Sequence, residues 1–205
     1  MKLYYAFIFI ISTVIINAET VDIKKDTPFV MVSSYGKKVK IKRNSKKDAH
    51  LTNTYALTSR PSPPFFIQPF EVAKGVDTYG ELEVLDFIKR RRGIFVDARL
   101  RNWYEKSAIA SSVNIPFKIF LKSSAKLTRI LKKFGGKKSS NGKWNFDKAP
   151  EILFYCNGAW CGQSPTAINA LIELGYPKKK MKYYRGGMQS WQLLGLSTIV
   201  PKGRR

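Results

Sequence analysis

Glu151-Ile-Leu-Phe-Tyr-Cys156-Asn-Gly-Ala-Trp-Cys161-Gly-Gln-Ser164-Pro165-Thr-Ala-Ile-Asn-Ala-Leu-Ile-Glu-Leu-Gly175 decides the fold. Residues 152–155 are a short, bulky apolar run, which predicts a buried strand of a parallel sheet. A small-residue loop follows, and then a helix start, with Ser164 read as the N-cap and Pro165 as the first helical residue. Ala167, Ile168, Ala170, Leu171, Ile172 and Leu174 supply a buried face, and Gly175 a stop. Cys156 therefore falls between a strand end and a helix N-terminus, where converging N–H groups favour a thiolate. Lowering a thiol pKa by about two units is worth roughly 2.7 kcal/mol and makes the thiolate dominant near neutral pH. On this pattern alone, Cys156 is either a nucleophile or an inert strand-end cysteine.

Strand and helix patterns alternate on both sides of this stretch. Upstream, Thr78-x-x-Glu81 has capping-box spacing and opens a predicted helix over 81–91. Its first turn is acidic (Glu81, Glu83), its last basic (residues 89–92), and Gly93 ends it. Residues 94–97 and 113–116 read as strands, and a helix from Ser124 buries Leu127, Ile130, Leu131 and Phe134 before stopping at Gly135-Gly136. Residues 137–143 read as a polar loop. Downstream come a strand over 181–184, a turn at Arg185-Gly186-Gly187 and a helix over 188–194. This alternation predicts an α/β fold, a parallel sheet flanked by helices, with its site at the carboxyl ends of the strands. Asp97, Cys156 and Arg185 all fall at such ends.

Residues 19–70 read as an extension packed on the main domain (71–205), not as a domain of their own. Two strands, 28–34 and 38–42, flank Tyr35-Gly36, and a polar stretch follows over 43–53. Four prolines keep residues 60–69 extended. Phe65, Phe66 and Ile67 are apolar enough to predict packing. The chain opens with Lys2, an apolar run over 6–16 and a small residue at Ala18, which reads as a signal peptide over 1–18 with export to a periplasmic or secreted location. The run is short for a membrane span, which needs about 20 apolar residues, so a cleaved signal with no membrane partner afterwards is expected, and a retained anchor is the alternative.

The 205-residue chain carries a net charge of +23 and two cysteines. Its lysines are scattered, not gathered with aromatics into one patch, which together with export argues against nucleic acid as a partner. A solvated basic surface or steering of small anions remains. Cys156 and Cys161 lie in one loop, so a bridge between them would staple nothing distant. Two cysteines and the lone His50 do not make a zinc site. Local redox or sulfur chemistry is left, with no metal and no organic cofactor expected.

Four signatures then occur in order: Phe95-Val-Asp97-Ala-Arg99 with Trp103-Tyr104; residues 109–116 ending in Asn114-Ile-Pro116; Tyr155-Cys156 with its loop and helix; and Tyr184-Arg-Gly-Gly-Met-Gln-Ser-Trp191. Over residues 72–200 the chain resembles the rhodanese-like sulfurtransferase family. The resemblance implies that Cys156 carries a sulfane sulfur as a persulfide, cradled by the loop Asn157, Gly158, Ala159, Trp160, Cys161 and Gly162. It implies supporting roles for Asp97, Arg99, Gly186 and Gly187, and a core role for Trp191. The partners implied are a small sulfur-anion donor and a thiol or protein acceptor.

Some positions depart from the family. Ala108 stands where many relatives have histidine, the loop contains no cation, and it is about two residues longer than usual. It is similar instead to an exported subset with a Cys-Asn-Gly-x-x-Cys loop and a proline-rich strap. Gly162 stands where a Cys-x5-Arg phosphatase needs its guanidinium. Cys161 reads either as an accessory thiol that attacks a Cys156 persulfide or as a spare thiol. Trp160 reads as a lid over the sulfur or as a docking residue. Arg99 and Arg185 are the cations expected to approach a bound anion, with a surface salt bridge as the alternative for Arg185. A carrier or binding module and a thiol–disulfide protein are the competing functions.

Overall fold

The computed structural model describes residues 21–61 and 65–201. The predicted signal peptide and strap residues Ser62, Pro63 and Pro64 lie outside the described residues. Five strands form one parallel sheet: β3 (Asp77–Tyr79), β4 (Gly93–Asp97), β5 (Val113–Asn114), β8 (Glu151–Tyr155) and β9 (Met181–Tyr184), in the order β3-β9-β8-β4-β5. The central strand β8 is buried from Ile152 to Tyr155, as its unbroken apolar run requires. Its side chains alternate between two cores. Leu153 and Tyr155 face α1 (Glu81–Lys89) and α5 (Gly187–Leu193), while Ile152 and Phe154 face α3 (Ala125–Lys133) and α4 (Gln163–Glu173).

The extension completes the first of these cores. Its hairpin, β1 (Phe29–Ser34) and β2 (Lys37–Lys42), pairs antiparallel and buries Val30, Val32 and Ile41 in the same cluster as Phe95, Tyr155 and Trp191. Each such side chain contributes about 1.5–3 kcal/mol by leaving water. Backbone bonds from Asn44 N–H to Gly195 O (2.8 Å) and from Ser197 N–H to Lys42 O (2.9 Å) tie the hairpin to the chain after α5. Among the described residues no helix is long and apolar enough to cross a membrane.

Several local expectations are corrected. Thr78 lies in β3, and its hydroxyl donates to Phe70 O; the helix cap is Gly80, whose N–H donates to Glu83 Oε2 at 3.0 Å. The turn after α1 is made by Arg91 in the left-handed region (φ 53°), while Gly93 opens β4. A Cβ on Gly93 would lie 2.0 Å from Glu151 O, so glycine is there for close strand approach. The helix α4 begins at Gln163, which puts Ser164 and Pro165 inside its first turn and not at its boundary. The loop over 137–143 is part of a small hairpin, β6 (Lys137–Lys138) with β7 (Trp144–Asn145). A short helix α2 (Arg101–Lys106) and the edge strand β3 carry no clear sequence pattern. Of the three apolar strap residues, Phe65 packs, while Phe66 and Ile67 are 56% and 87% exposed, because there the strap backbone meets the domain.

Candidate active site

Cys156 follows the carboxyl end of β8 and is buried, as is Cys161; both are free thiols. In the neutral form the Cys156 S–H points to Cys161 O at 3.1 Å, a contact that prefers the thiol. Burial also opposes ionisation. The Cys161 thiol, the Ser164 hydroxyl and the Ser164 and Asn157 N–H groups outweigh it and bring the Cys156 pKa down to about 7. Ser164 Oγ has no hydrogen-bond partner among the described residues while Cys156 is neutral; ionisation supplies one. Cys161 moves the other way, pushed up by burial and by its neighbour's charge, although the Asn157 and Gln163 N–H groups favour its thiolate. The two thiols thus shift in opposite directions, Cys156 down and Cys161 up, both set against the N-terminus of the 11-residue helix α4.

Under the loop lies a buried ion pair. Arg99 Nε and Nη2 grip Asp97 at 2.6–3.1 Å, Nη2 also donates to Ser107 O, and Nη1 donates to Tyr55 Oη at 2.9 Å. Burial opposes the charge on Arg99, but Asp97 outweighs it and keeps the guanidinium ionised. The expectation that Arg99 meets a bound anion is corrected: its donors are engaged inside the protein. Tyr55 Oη in turn donates to Asn157 Oδ1 at 2.9 Å, and Asn157 Nδ2 lies 3.6 Å from Cys161 Sγ. Asp97, Arg99, Tyr55, Asn157 and Cys161 form one chain.

The outer side of the loop is shaped by backbone. Gly187 has φ +54°, and a Cβ there would lie 2.5 Å from Cys156 O and 2.7 Å from Gly158 N. At Gly186 a Cβ would meet the Ser190 side chain at 2.8 Å. Gly187 lets α5 close onto the loop, where Met188 and Gln189 N–H donate to Cys156 O and Asn157 O. The strap runs antiparallel to the loop: Phe66 N–H donates to Trp160 O (3.0 Å) and Gln68 N–H to Ala159 O (2.8 Å), with Phe65 paired to Cys161. A Cβ on Gly162 would meet the Gln68 side chain at 3.5 Å, an ordinary contact. The salt-bridge alternative for Arg185 is corrected, since it forms none among the described residues. Its Nε and Nη2 donate to Gln68 O, with Nε also on Pro69 O, and clamp the strap. Trp160 is half-buried, edge-on to Phe65 at 5.0 Å and bonded to Gln189 Oε1. Among the described residues no group of three or more His, Cys, Asp or Glu side chains could hold a metal ion.

A model of the rhodanese-like domain matches residues 82–194, more than half of the chain. The chain belongs to the rhodanese-like family. Solved structures similar to the chain include a human single-domain sulfurtransferase, 15% identical over 58% of this chain and 96% of that one (TM-score 0.39). A single-domain sulfurtransferase of Saccharomyces cerevisiae is 14% identical over 58% and 91% (TM-score 0.41). A Pseudomonas aeruginosa thiosulfate sulfurtransferase is 18% identical over 63% of this chain and 21% of that longer one (TM-score 0.43). No curated protein matches the sequence.

In this rhodanese-like chain, four residues at the site were not visible to sequence reasoning. Ser164 reads as a helix cap, Tyr55 sits in a stretch with no chemical motif, and Gln189 lies within the Tyr184–Trp191 signature without a role of its own. Arg60 lies in the strap and stacks its guanidinium over Trp160 at 3.8 Å. The sole local signal for Tyr55 is Asn53, two residues earlier, whose side chain caps the short 3-10 turn Thr54–Ala56.

Proposed function

We propose that the protein is an exported sulfurtransferase that moves a sulfane sulfur through a persulfide on Cys156. The observation that carries this is the buried Cys156 at the carboxyl end of β8, with the Ser164 N–H of the first turn of α4 and the Asn157 N–H on its sulfur, which favour the thiolate. The Cys156 thiolate attacks the outer sulfur of a sulfane donor such as thiosulfate. A sulfur–sulfur bond forms to Cys156, the donor's bond breaks, and sulfite leaves with the electron pair. An acceptor thiolate or cyanide then takes the outer sulfur and returns Cys156 as thiolate. The N–H groups of Asn157 and Ser164 and the Ser164 hydroxyl stabilise negative sulfur at both ends of the cycle. Export rests on the N-terminal charge and apolar pattern alone.

A second reading follows from the Cys161 thiol lying against Cys156. Cys161 attacks the inner sulfur of the persulfide, a Cys156–Cys161 disulfide forms, and hydrosulfide leaves; an external dithiol then resets the pair. Turnover separates the two. Thiocyanate release from thiosulfate and cyanide is expected in wild type and in Cys161→Ser, and abolished in Cys156→Ser. Absence of thiocyanate in wild type, with dithiol-dependent sulfide release lost in Cys161→Ser, favours the second. Absence of both with every sulfane donor overturns sulfur transfer and leaves a carrier or binding module.

A further inference from the structure

Tyr55 comes from the extension, outside the matched residues 82–194, yet its hydroxyl stands between the buried ion pair and the cysteine loop. It is held on several sides. Asn53 Oδ1 accepts the Tyr55 N–H at 2.9 Å, and Gln189 Nε2 donates to Tyr55 O at 2.9 Å. The ring meets Trp103 at 6.1 Å. A phenol has one proton to donate, and burial pushes its pKa up to about 12, so it keeps that proton. Arg99, charged by its pairing with Asp97, can only donate to the phenol oxygen. The phenol proton must therefore go to Asn157 Oδ1. That fixes the Asn157 amide with its oxygen towards Tyr55 and its nitrogen towards Cys161 Sγ. A flipped amide would present oxygen to Cys161, accept its S–H, and draw it away from Cys156.

We propose that Tyr55 is a positioning residue of the sulfur site: anchored by Arg99, it orients Asn157 so that its amide nitrogen, and not its oxygen, faces Cys161 Sγ beside Cys156. The extension thereby becomes part of the machinery as well as a cover for the core. The consequence for sulfur transfer rests on the persulfide role of Cys156, but the orientation itself does not.

The test is a pH titration of the Cys156 thiolate by its ultraviolet absorbance, taken as the difference from the matching Cys156→Ser protein. Tyr55→Phe removes the hydroxyl alone and is expected to raise the midpoint by about one pH unit, a tenfold loss of thiolate below it. Cys161→Ala raises the midpoint as well, and Tyr55→Phe added to Cys161→Ala shifts it no further. Asn157→Leu reproduces the Tyr55→Phe shift and carries the test if Tyr55→Phe does not fold. An unmoved midpoint in a folded Tyr55→Phe or Asn157→Leu protein, or additive shifts in the double variant, overturns the proposal. A merely structural Tyr55 would lower the melting temperature and leave the midpoint alone. The titration needs no sulfur donor, so it remains decisive even if the protein transfers no sulfur.

Discussion

Replacing Gly187 by alanine tests whether the loop around Cys156 is set by backbone contact with α5. Two costs are separable. The residue sits at φ +54°, where an L side chain costs about 1–2 kcal/mol. The new Cβ would also lie 2.5 Å from Cys156 O, 2.7 Å from Gly158 N and 2.9 Å from Asn157 C, all backbone atoms with no flexible end to swing away. Overpacking of that kind costs about 1–3 kcal/mol, so the total is about 2–5 kcal/mol. For a chain of this size the melting temperature should fall by of order 10 °C. Relief requires the Cys156 loop to retreat by about an ångström, which is expected to slow sulfur transfer by roughly a hundredfold. Gly175→Ala is the control: φ is +88°, but a Cβ there meets nothing within 4 Å, so it incurs only the backbone strain. Thermal unfolding and donor turnover are measured on both variants. If Gly187→Ala is no less stable than Gly175→Ala and keeps full turnover, the backbone account of the loop is wrong.

Arg99→Met leaves Asp97 buried and unpaired, so unfolding by denaturant should show a loss of about 3–5 kcal/mol, with part of it recovered in Arg99→Met/Asp97→Asn. Reaction with a sulfane donor should follow the Cys156 thiolate, rising with pH to half its maximum near 7 and levelling above; a midpoint near the ordinary thiol value of 9 would contradict the site's electrostatics. Because that pKa is depressed in the folded state, the same group contributes stability that is present above pH 9 and lost as pH falls through 7. Ser164→Ala should raise the reactive midpoint while leaving the melting temperature unchanged or higher, because a buried hydroxyl without a partner in the thiol form is removed. A melting temperature several degrees lower would show that the hydroxyl has another partner.

The central strand, the loop and the two helices beside it were legible because their signals are local. An unbroken apolar run marks β8, Gly175 has the positive φ that a helix stop needs, and Ser124 caps α3 with its own side chain. The edge strand β3 was not legible, since its three residues bury little and alternate weakly. Nor was α2, whose N-cap Leu100 has no capping side chain. The α4 boundary misled for a physical reason. Pro165 is tolerated anywhere in a first helical turn, where its N–H would be unpaired, so it marks a turn and not a residue. Position in the sheet brought Asp97, Cys156 and Arg185 to one edge, but it could not say what the cations bind. Arg99 is matched by a carboxylate two residues away, and Arg185 by carbonyls more than a hundred residues away. Tyr55 joins groups 44 and 102 residues distant, a relation that only tertiary structure expresses.

The central claim is that Cys156 carries the transferred sulfur. Intact mass of the protein, recorded before and after a sulfane donor and again after cyanide, tests it most directly. The account predicts one added sulfur atom in wild type and in Cys161→Ser, removed by cyanide and absent from Cys156→Ser. An adduct that persists in Cys156→Ser, or none in wild type with any donor, would contradict it.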